Sequence, residues 1–384
     1  MGRFSLSPGP KDPNLRVLGF MSGTSLDAID MAILDTDGET IKGFGPAGER
    51  KLTEATRALI QTATDDARRW PRGAAEPPSF ARAARAVGQA HLEAAFAFLA
   101  EQGLSPAHID LAGFHGQTVL HERPTAQRIG RTVQLGDAGL LARGLGVPVV
   151  HGFRLDDVAA GGEGAPLAPI YHAALARYAG LAAPVAVLNL GGVANITLMR
   201  PDGDFQALDT GPANGMIDLM VQARGLGRCD VDGRLALAGT PAPTVVAALM
   251  RHPYFSAPPP KSLDRYDFPL EVVDGLSDAD AAATLTAFTC ESVAAALTWF
   301  GADQPRTIIA AGGGRHNPAI MAGLSRAMPQ LSVISAEDAG WRGDSIEAEA
   351  FAYLAARTVK GLPISFPGTT GVKAPMTGGM IARP

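Results

Sequence analysis

A pattern of strand, glycine-rich turn and strand occurs twice in this chain and restricts the folds that are open to it. The first copy, RVLGFMSGTSLDAIDMAILDTDG, begins at Arg16 and ends on an Asp-Gly turn. The second copy, VAVLNLGGVANITLMRPDGDF, begins at Val185 and contains another Asp-Gly turn at Asp202-Gly203. Apolar runs on both sides of a tight turn predict β-hairpins. Two such copies predict two similar domains, each opening with one hairpin.

Helical patterns follow each of the two hairpins. Apolar residues at helical spacing predict helices over 80–102, 243–250, 281–300 and 345–359, the last behind a cap at Asp344. A short strand over 307–310 runs into three consecutive glycines. Alternation of strands and helices predicts the α/β class. We expect one lobe formed by residues 1–153 with 365–384, a second formed by 154–364, and a ligand cleft between them.

Composition and charge exclude several classes of protein. The chain has 384 residues, of which 46% are hydrophobic and 18% charged, as is ordinary for a two-domain enzyme. Its formal net charge of −5, without a basic stripe, argues against nucleic-acid binding. Cys229 and Cys290 lie outside any CxxC pattern, so we expect neither a disulfide nor a zinc site, and a reducing cytoplasm. The residues predict no membrane span and leave a homodimer open.

The glycine-rich turns point to an anion. A turn rich in Gly, Ser and Thr directs backbone N–H groups to one point, which suits a nucleotide phosphate. Gly23-Thr24-Ser25 and Gly191-Gly192, together with Gly312-Gly313-Gly314, favour a phosphate site over two ordinary hairpins. The P-loop pattern GxxxxGK[ST] is absent. GFGPAG, at 43–48, matches GxGxxG but follows no apolar strand, so a dinucleotide site is not expected.

Three aspartates are candidates for chemistry at this site. Asp209 ends an apolar strand at a glycine turn, where a carboxylate can take a proton from water or a hydroxyl. It could equally cap a helix over 214–222, and its spacing leaves both interpretations open. Asp27 and Asp30 follow the first turn and could help to hold Mg²⁺, which needs only one or two protein carboxylates.

Four further polar residues are candidates for substrate binding. His115 and Gln117 form a turn after an apolar strand and could bind sugar hydroxyls. Arg154 could pair with an anionic group or lie on the surface. Glu347 could face a cleft or solvent. The sequence alone leaves these alternatives open.

The chain resembles the anhydro-N-acetylmuramic acid kinases in the order of its motifs. The similarity runs from about Arg16 to Gly371 and rests on MSGTSLDAID, FHGQT, TVQLGD, GFRLDDVAAGGEGAPLAP, LNLGGVANIT, LDTGPAN, PPKS, AAGGGRHNP and EAEAFAYLA. This resemblance implies the fold of actin, sugar kinases and heat-shock chaperones, with two related ribonuclease H-like α/β domains around an ATP cleft. It implies a reaction of ATP, with Mg²⁺, and water with 1,6-anhydro-N-acetylmuramic acid, giving the 6-phosphate in peptidoglycan recycling.

The resemblance also implies roles for individual residues. Asp209 falls on the general base of the family. The substrate-binding positions fall on His115, Gln117, Arg154 and Glu347. The nucleotide-binding positions fall on Gly23, Thr24, Ser25, Leu26, Asp27, Ala28, Ile29, Asp30, Gly191, Gly192, Asn195, Gly312, Gly313 and Gly314. Which carboxylate governs the metal is left open.

The chain departs from the family pattern at a few positions. Gly152 stands where the family commonly has Asp, Glu163 where it has Gln, and Ala28 where it has Gly, while Leu263 and Asp264 replace Thr and Gly. These departures affect substrate contacts and loop closure. The alternatives are a kinase of the same fold for another sugar or acid, a chaperone-like ATP-binding module and an inactive regulator.

Overall fold

The computed structural model describes residues 14–23, 26–125, 127–259, 261, 263 and 267–384. Thr24, Ser25 and Asp264, which the sequence analysis singled out, therefore lie outside the described residues. Contacts between Cα atoms divide the chain into two compact units. The first contains the described residues up to 174 with 347–365 and 372–384, and the second contains 175–346 with 366–371. The lobe boundaries expected at 153/154 and 364/365 stay predictions.

The described part of the chain consists of strands and helices in alternation. The strands are β1 (Leu15–Ser22), β2 (Ala28–Thr36), β3 (Ile41–Lys51), β4 (Leu111–Phe114), β5 (Gln117–Glu122), β6 (Arg131–Leu135), β7 (Val149–His151), β8 (Val185–Leu190), β9 (Val193–Met199), β10 (Phe205–Pro212), β11 (Thr307–Ala311), β12 (Ser332–Ser335) and β13 (Met380–Ala382). The helices are α1 (Glu54–Arg69), α2 (Pro78–Glu101), α3 (Ala138–Leu145), α4 (Leu155–Ala159), α5 (Pro169–Tyr178), α6 (Asn214–Ala223), α7 (Arg234–Ala238), α8 (Pro243–Leu249), α9 (Asp278–Ala296), α10 (Pro318–Ala327), α11 (Ile346–Val359) and α12 (Pro367–Thr370).

The first unit is built on a sheet with the strand order β3-β2-β1-β4-β7-β13. Strands β3, β2 and β1 are antiparallel neighbours, whereas β1, β4 and β7 run parallel. Helices α1, α2 and α3 contribute the apolar side chains that complete the buried core of this unit. Strands β5 and β6 form a separate antiparallel pair.

Helix α11 packs against the sheet of the first unit at two glycines. Gly19 of β1 and Gly113 of β4 are paired in register. A Cβ atom on Gly19 would lie 1.9 Å from the carbonyl oxygen of Ala348, and one on Gly113 would lie 2.1 Å from that of Phe351. The backbone of α11 therefore rests directly on the backbone of the sheet, and only glycine leaves room for this approach.

The second unit is built on a sheet with the order β10-β9-β8-β11-β12. Strands β10, β9 and β8 are antiparallel neighbours, and β8, β11 and β12 run parallel. Its core is formed by this sheet together with α6, α9 and α10. Helix α9 and the turn after it, Asp278–Phe300, are long and apolar enough to cross a membrane, but most of this segment is buried, as in the core helix of a globular domain.

The two units share one strand topology. In both, an antiparallel meander of three strands is extended on the side of its first strand by two parallel strands. The first hairpin of each unit, β1–β2 and β8–β9, is the repeated strand–turn–strand pattern of the sequence. The α/β class and the two related ribonuclease H-like domains are thus confirmed, as are the predicted helices, with end shifts of a few residues.

Candidate active site

Three polar side chains lie in one row across the sheet of the second unit. Asp209 of β10 pairs with Asn195 of β9, and Asn195 pairs in turn with Asn189 of β8. Directly paired residues of antiparallel strands point to the same face of a sheet. A bulge follows Asp209 in β10 and interrupts the pairing before Gly211. The sheet therefore places the carboxylate of Asp209 and the two amide side chains next to one another on the same face.

The turn between β8 and β9 contacts the start of α6. The Gly192 carbonyl oxygen accepts hydrogen bonds from the N–H groups of Ala213 and Gly215, and the Gly191 carbonyl accepts one from Asn214. The Asn214 side chain donates to the Leu190 carbonyl at 3.2 Å. The turn and the first residues of the helix are thus fixed against each other.

The triple glycine borders the same turn. Gly312 follows β11 with φ of +74°, and a Cβ on it would lie 2.3 Å from Oδ1 of Asn189. A Cβ on Gly314 would lie 2.7 Å from Cβ of Leu190. A pocket of about 340 Å³ opens beside this loop, lined by Asn214, Ile217, Asp218, Cys229, Asp230, Val231, Asp232, Gly313, His316 and Asn317. The pocket and the two glycine turns form one continuous part of the second unit.

Asp209 is held by the segment that contains Lys261 and Leu263. Its Oδ2 accepts a hydrogen bond from the Leu263 N–H at 2.8 Å, and its own N–H donates to the Lys261 carbonyl at 3.2 Å. Its carbonyl oxygen accepts from the Tyr254 hydroxyl at 2.5 Å. Helix α6 instead has Ala213 at its N-cap without a side-chain hydrogen bond, so the interpretation of Asp209 as the cap of this helix is wrong.

Lys261 is anchored between two aromatic rings. Its Nζ lies 4.6 Å from the ring centre of Tyr254 and 5.1 Å from that of Trp299, and it donates to the Tyr254 carbonyl at 3.0 Å. Partial burial lowers the pKa of Lys261. These contacts fix the position of Lys261. Leu263, two residues further along the chain, donates the hydrogen bond to Asp209. Tyr254 and Trp299 could not be identified from the sequence, because neither lies in a recognisable motif.

In the first unit, the glycine turn after β1 is tied to the turn after β4. Gln117 donates from Nε2 to the Gly23 carbonyl at 3.1 Å, while its Oε1 is buried and has no hydrogen-bond partner in the part of the chain that the structure describes. Leu26 closes the turn with φ of +59°, and Asp27 is exposed beside it. Ala28, Ile29 and Asp30 belong to β2, where Asp30 is half-buried. Gln117, expected to bind sugar, thus contacts the predicted phosphate turn.

A buried neutral histidine lies next to this turn. His115 accepts hydrogen bonds at Nε2 from Nε and Nη2 of Arg154, at 3.2 and 3.1 Å. Burial lowers the pKa of His115 well below its ordinary value, and the nearby Arg154 lowers it further. An acceptor at Nε2 requires the proton to be on Nδ1, which is buried. Nδ1–H is therefore a buried donor, and the adjacent Gly116 backbone is the one partner that the described residues offer the ring besides Arg154.

Arg154 connects this histidine to the loop at 161–166. Its Nη1 donates to the Gly164 carbonyl at 2.7 Å, and the Gly164 N–H donates to Asp157 at 2.6 Å. Burial lowers the pKa of Arg154, although the charges of Glu347 and Asp157 oppose that effect. The interpretation of Arg154 as an ordinary surface arginine is wrong, since its half-buried guanidinium donates to His115 and to the Gly164 carbonyl and so bridges two turns of this unit.

Glu347 lies in the first turn of α11, within electrostatic reach of Arg154. Its side chain is exposed. Desolvation by the surrounding protein nevertheless raises the pKa of Glu347, and the charge of Arg154 opposes that effect. The same turn carries Glu349, which is fully buried and accepts from the Tyr171 hydroxyl at 2.5 Å. Glu347 is therefore an exposed carboxylate whose pKa is raised by the surrounding protein.

The described residues contain no group of three or more His, Cys, Asp or Glu side chains that could hold a metal ion. The expectation that Asp27 or Asp30 contacts Mg²⁺ stays a prediction, because one or two carboxylates are enough for that ion when waters complete its shell.

Comparisons with known proteins agree with the motif order. The model of the anhydro-N-acetylmuramic acid kinase family matches residues 15–384. A protein of that name from Caulobacter vibrioides is 68% identical over 96% of this chain and 98% of its own length. A second, from Phenylobacterium zucineum, is 62% identical over 96% of this chain and 100% of its own length.

A solved structure with bound nucleotide is similar at a much lower level. The activator of the 2-hydroxyisocaproyl-CoA dehydratase from Clostridium difficile, with bound ADPNP, is 13% identical over 90% of this chain and 96% of that chain, with a TM-score of 0.44. The strand order of the two sheets, rather than this likeness, carries the fold assignment.

Proposed function

The chain belongs to the anhydro-N-acetylmuramic acid kinase family, and on this premise we propose that it uses ATP and water to convert 1,6-anhydro-N-acetylmuramic acid into N-acetylmuramic acid 6-phosphate. This reaction opens the anhydro bridge and phosphorylates O6 in one active site. It serves peptidoglycan recycling, and we propose that it takes place in the cytoplasm.

The observation that carries the proposal is the fixed carboxylate of Asp209. It stands near the end of β10, beside the glycine turn of the same sheet, and the Leu263 N–H holds its Oδ2 at 2.8 Å. It is half-buried rather than sealed in the core. A carboxylate fixed in this way can accept a proton from water, which is the task of a general base.

The glycine loops and the adjoining pocket of the second unit fit a nucleotide. The pocket of about 340 Å³ has the size of a small-ligand site and is lined by the amide of Asn214, the backbone of Gly313 and the imidazole of His316. The Gly191-Gly192 turn lies beside it, where backbone N–H groups can bind phosphate oxygens. ATP, when bound, would supply the γ-phosphoryl group, and Asp27 and Asp30 of the first unit are the carboxylates that would hold Mg²⁺, which would neutralise charge on the phosphates.

The polar cluster of the first unit fits a sugar acid. The Nδ1–H of neutral His115 offers a buried donor, and Arg154 offers positive charge beside it. Glu347 adds a carboxyl group that can accept from, or in its protonated form donate to, a hydroxyl. We propose that His115, Arg154 and Glu347 bind the amino sugar, whereas Gln117 holds the phosphate turn at Gly23.

The chemistry follows from the structure of the anhydro sugar. Its O6 is bonded to C1 and has no proton, so a base cannot activate O6 directly. Asp209 instead takes a proton from water, whose oxygen forms a bond to C1 as the C1–O6 bond breaks. The released O6 attacks the γ-phosphorus, and ADP leaves. The proton taken by Asp209 later returns to solvent, which balances the reaction.

Substitution of the base tests this assignment. Asp209→Asn keeps the side-chain shape and the acceptor for Leu263 but cannot take up a proton, so we expect turnover to fall by at least about 100-fold with normal folding. Asp202→Asn, in the exposed turn after β9, is the matched control and should keep full turnover. Product formation is measured by mass spectrometry. Wild-type turnover of Asp209→Asn would refute the assignment.

A screen of substrates tests the sugar itself. Wild-type protein is offered ATP with the anhydro amino sugar, N-acetylglucosamine, N-acetylmannosamine or glucose, and ADP release is recorded. We expect rapid release only with the anhydro sugar. Faster release with one of the other sugars would replace the proposal by a kinase of the same fold for that sugar.

A further inference from the structure

Arg315 is a buried arginine directly behind the triple glycine. Its side chain is 1% exposed. Its Nε and Nη2 donate to Glu337 at distances of 2.8 to 3.1 Å, and Nη2 also donates to Asp344 at 2.8 Å. Glu337 and Asp344 both belong to the connection between β12 and α11. One guanidinium therefore satisfies two carboxylates of one connecting segment.

The same guanidinium also holds the glycine loop. Its Nη1 donates to the Gly312 carbonyl at 2.9 Å, and the Arg315 N–H donates to that carbonyl at 3.2 Å. The loop is left-handed at Gly312 and closely packed on β8, so its position is sensitive to what holds its carbonyl. Three planar donor groups on one rigid fork fix the loop relative to the β12–α11 connection in a way that a single charge would not.

Space behind the guanidinium is limited by a second glycine. A Cβ on Gly343 would lie 2.4 Å from Nε of Arg315 and 2.5 Å from Oε1 of Glu337. Because Gly343 has no side chain, the ion pair between Arg315 and Glu337 can lie directly beside its Cα atom. An alanine there would displace the guanidinium or its partner.

The residues held by this cluster line the nucleotide-sized pocket. Gly313 follows directly on the Gly312 carbonyl, His316 and Asn317 follow directly on Arg315, and all three border the pocket. His316 lies 3.7 Å from Asp344, the same carboxylate that binds Arg315. A change at Arg315 therefore reaches the pocket wall through one peptide unit, without a contact between Arg315 and the ligand.

We propose that Arg315, held by Glu337 and Asp344, is a positioning residue for the nucleotide: it sets the affinity of the pocket by fixing the Gly312–Gly314 loop. The inference rests on the proposed function only in taking a nucleotide as the occupant of this pocket. Arg315 takes no part in proton transfer. Its removal changes nucleotide binding and leaves the sugar site of the other unit unchanged.

The first test separates binding from turnover in Arg315→Met. We expect the Kd for a non-hydrolysable ATP analogue, measured by calorimetry, and the KM for ATP to rise about tenfold. At saturating ATP, kcat should stay within about twofold of wild type and the KM for the sugar should not change. Arg315→Lys, which keeps the charge but not the fork, should lie between wild type and Met. Arg326→Met, on the exposed side of α10, is the control and should match wild type.

Two variants that leave Arg315 in place keep the test valid if Arg315→Met does not fold. The side chain of Asp344 is 82% exposed, so Asp344→Asn should fold normally and weaken nucleotide binding by about threefold. Gly343→Ala should weaken binding through displacement of the guanidinium or of Glu337, and its effect should largely vanish in the Arg315→Met background, because the guanidinium through which either displacement reaches the loop is gone.

The outcomes distinguish the inference from the proposed function. Nucleotide affinity within twofold of wild type in a folded Arg315→Met protein, or in both Asp344→Asn and Gly343→Ala, would overturn the inference while the wild type still phosphorylates the sugar. A fall in kcat with unchanged nucleotide affinity would also overturn it. Failure of the wild type itself to bind the ATP analogue would overturn both.

Discussion

Gly19→Ala tests how closely α11 is seated on the sheet of the first unit. The new Cβ would lie 1.9 Å from the Ala348 carbonyl oxygen and 2.7 Å from the Ala352 nitrogen, whereas real Cβ atoms keep at least 3.0 Å from such neighbours. Both atoms belong to the helix backbone and cannot rotate away. The helix must therefore move by about 1 Å or the strand must bend, which typically costs about 1–3 kcal/mol in a packed core.

The displacement should reach the candidate sugar site, because Glu347 lies one residue before Ala348 in α11. A shift of about 1 Å in a group that binds substrate can lower turnover by about 100-fold. We therefore expect Gly19→Ala to lower both the unfolding midpoint in urea and kcat/KM for the sugar. Gly275→Ala is the matched control, since nothing lies within 4 Å of a Cβ there.

A second substitution identifies the clash. The clashing atom is a carbonyl oxygen, so Ala348→Gly, which removes a side chain, should not restore stability or activity in the Gly19→Ala protein. Wild-type stability and kcat/KM in Gly19→Ala would refute the close approach of β1 and α11. Rescue by Ala348→Gly would show that the side chain, rather than the backbone, limits this contact.

Three further predictions concern single side chains. Burial lowers the pKa of His91 to about 4, so between pH 6.5 and 4 the unfolded chain binds a proton that the folded chain does not. The free energy of unfolding should therefore decrease by up to about 3 kcal/mol from this group as the pH is lowered through that range, and urea titrations of His91→Leu should lack this part of the decrease. Tyr171→Phe leaves the buried Glu349 carboxylate with one hydrogen bond fewer and should cost about 2 kcal/mol in the same assay, whereas an unchanged midpoint would contradict the buried pair. Lys261→Met should lower kcat by loosening the loop that holds Asp209, with little change in the unfolding midpoint; kcat equal to that of the exposed-site control Lys360→Met would argue against this role.

The repeated hairpin made the fold predictable from the sequence. Apolar runs around the Gly23 and Gly191-Gly192 turns identify β1–β2 and β8–β9 by local periodicity alone, whereas the largely polar strand β3 was not predicted. The close contact of Gly19 and Gly113 with α11 was not predictable in this way. It joins residues more than two hundred positions apart, and neither glycine lies in a turn.

For individual site residues, too, the features set by neighbouring positions in the chain were predictable, whereas the contacts with distant positions were not. The strand end at Asp209 was visible in the sequence, but the rejection of a helix cap depended on the folded chain, in which Ala213 is the N-cap of α6 and the Asp209 carboxylate accepts from Leu263. The burial of Arg154 depended on His115 and Gly164, which belong to separate turns. Side-chain partners of this kind are set by packing, not by spacing along the chain.

The fate of the oxygen atom from water tests the central claim most directly. Wild-type protein is incubated with ATP, Mg²⁺ and 1,6-anhydro-N-acetylmuramic acid in ¹⁸O-labelled water, and the first product is analysed by fragmentation mass spectrometry before its anomeric oxygen exchanges. Attack of water on C1, promoted by Asp209, predicts one labelled oxygen at C1 and none in the phosphate. Label in the phosphate, or an unlabelled C1 oxygen, would contradict the account.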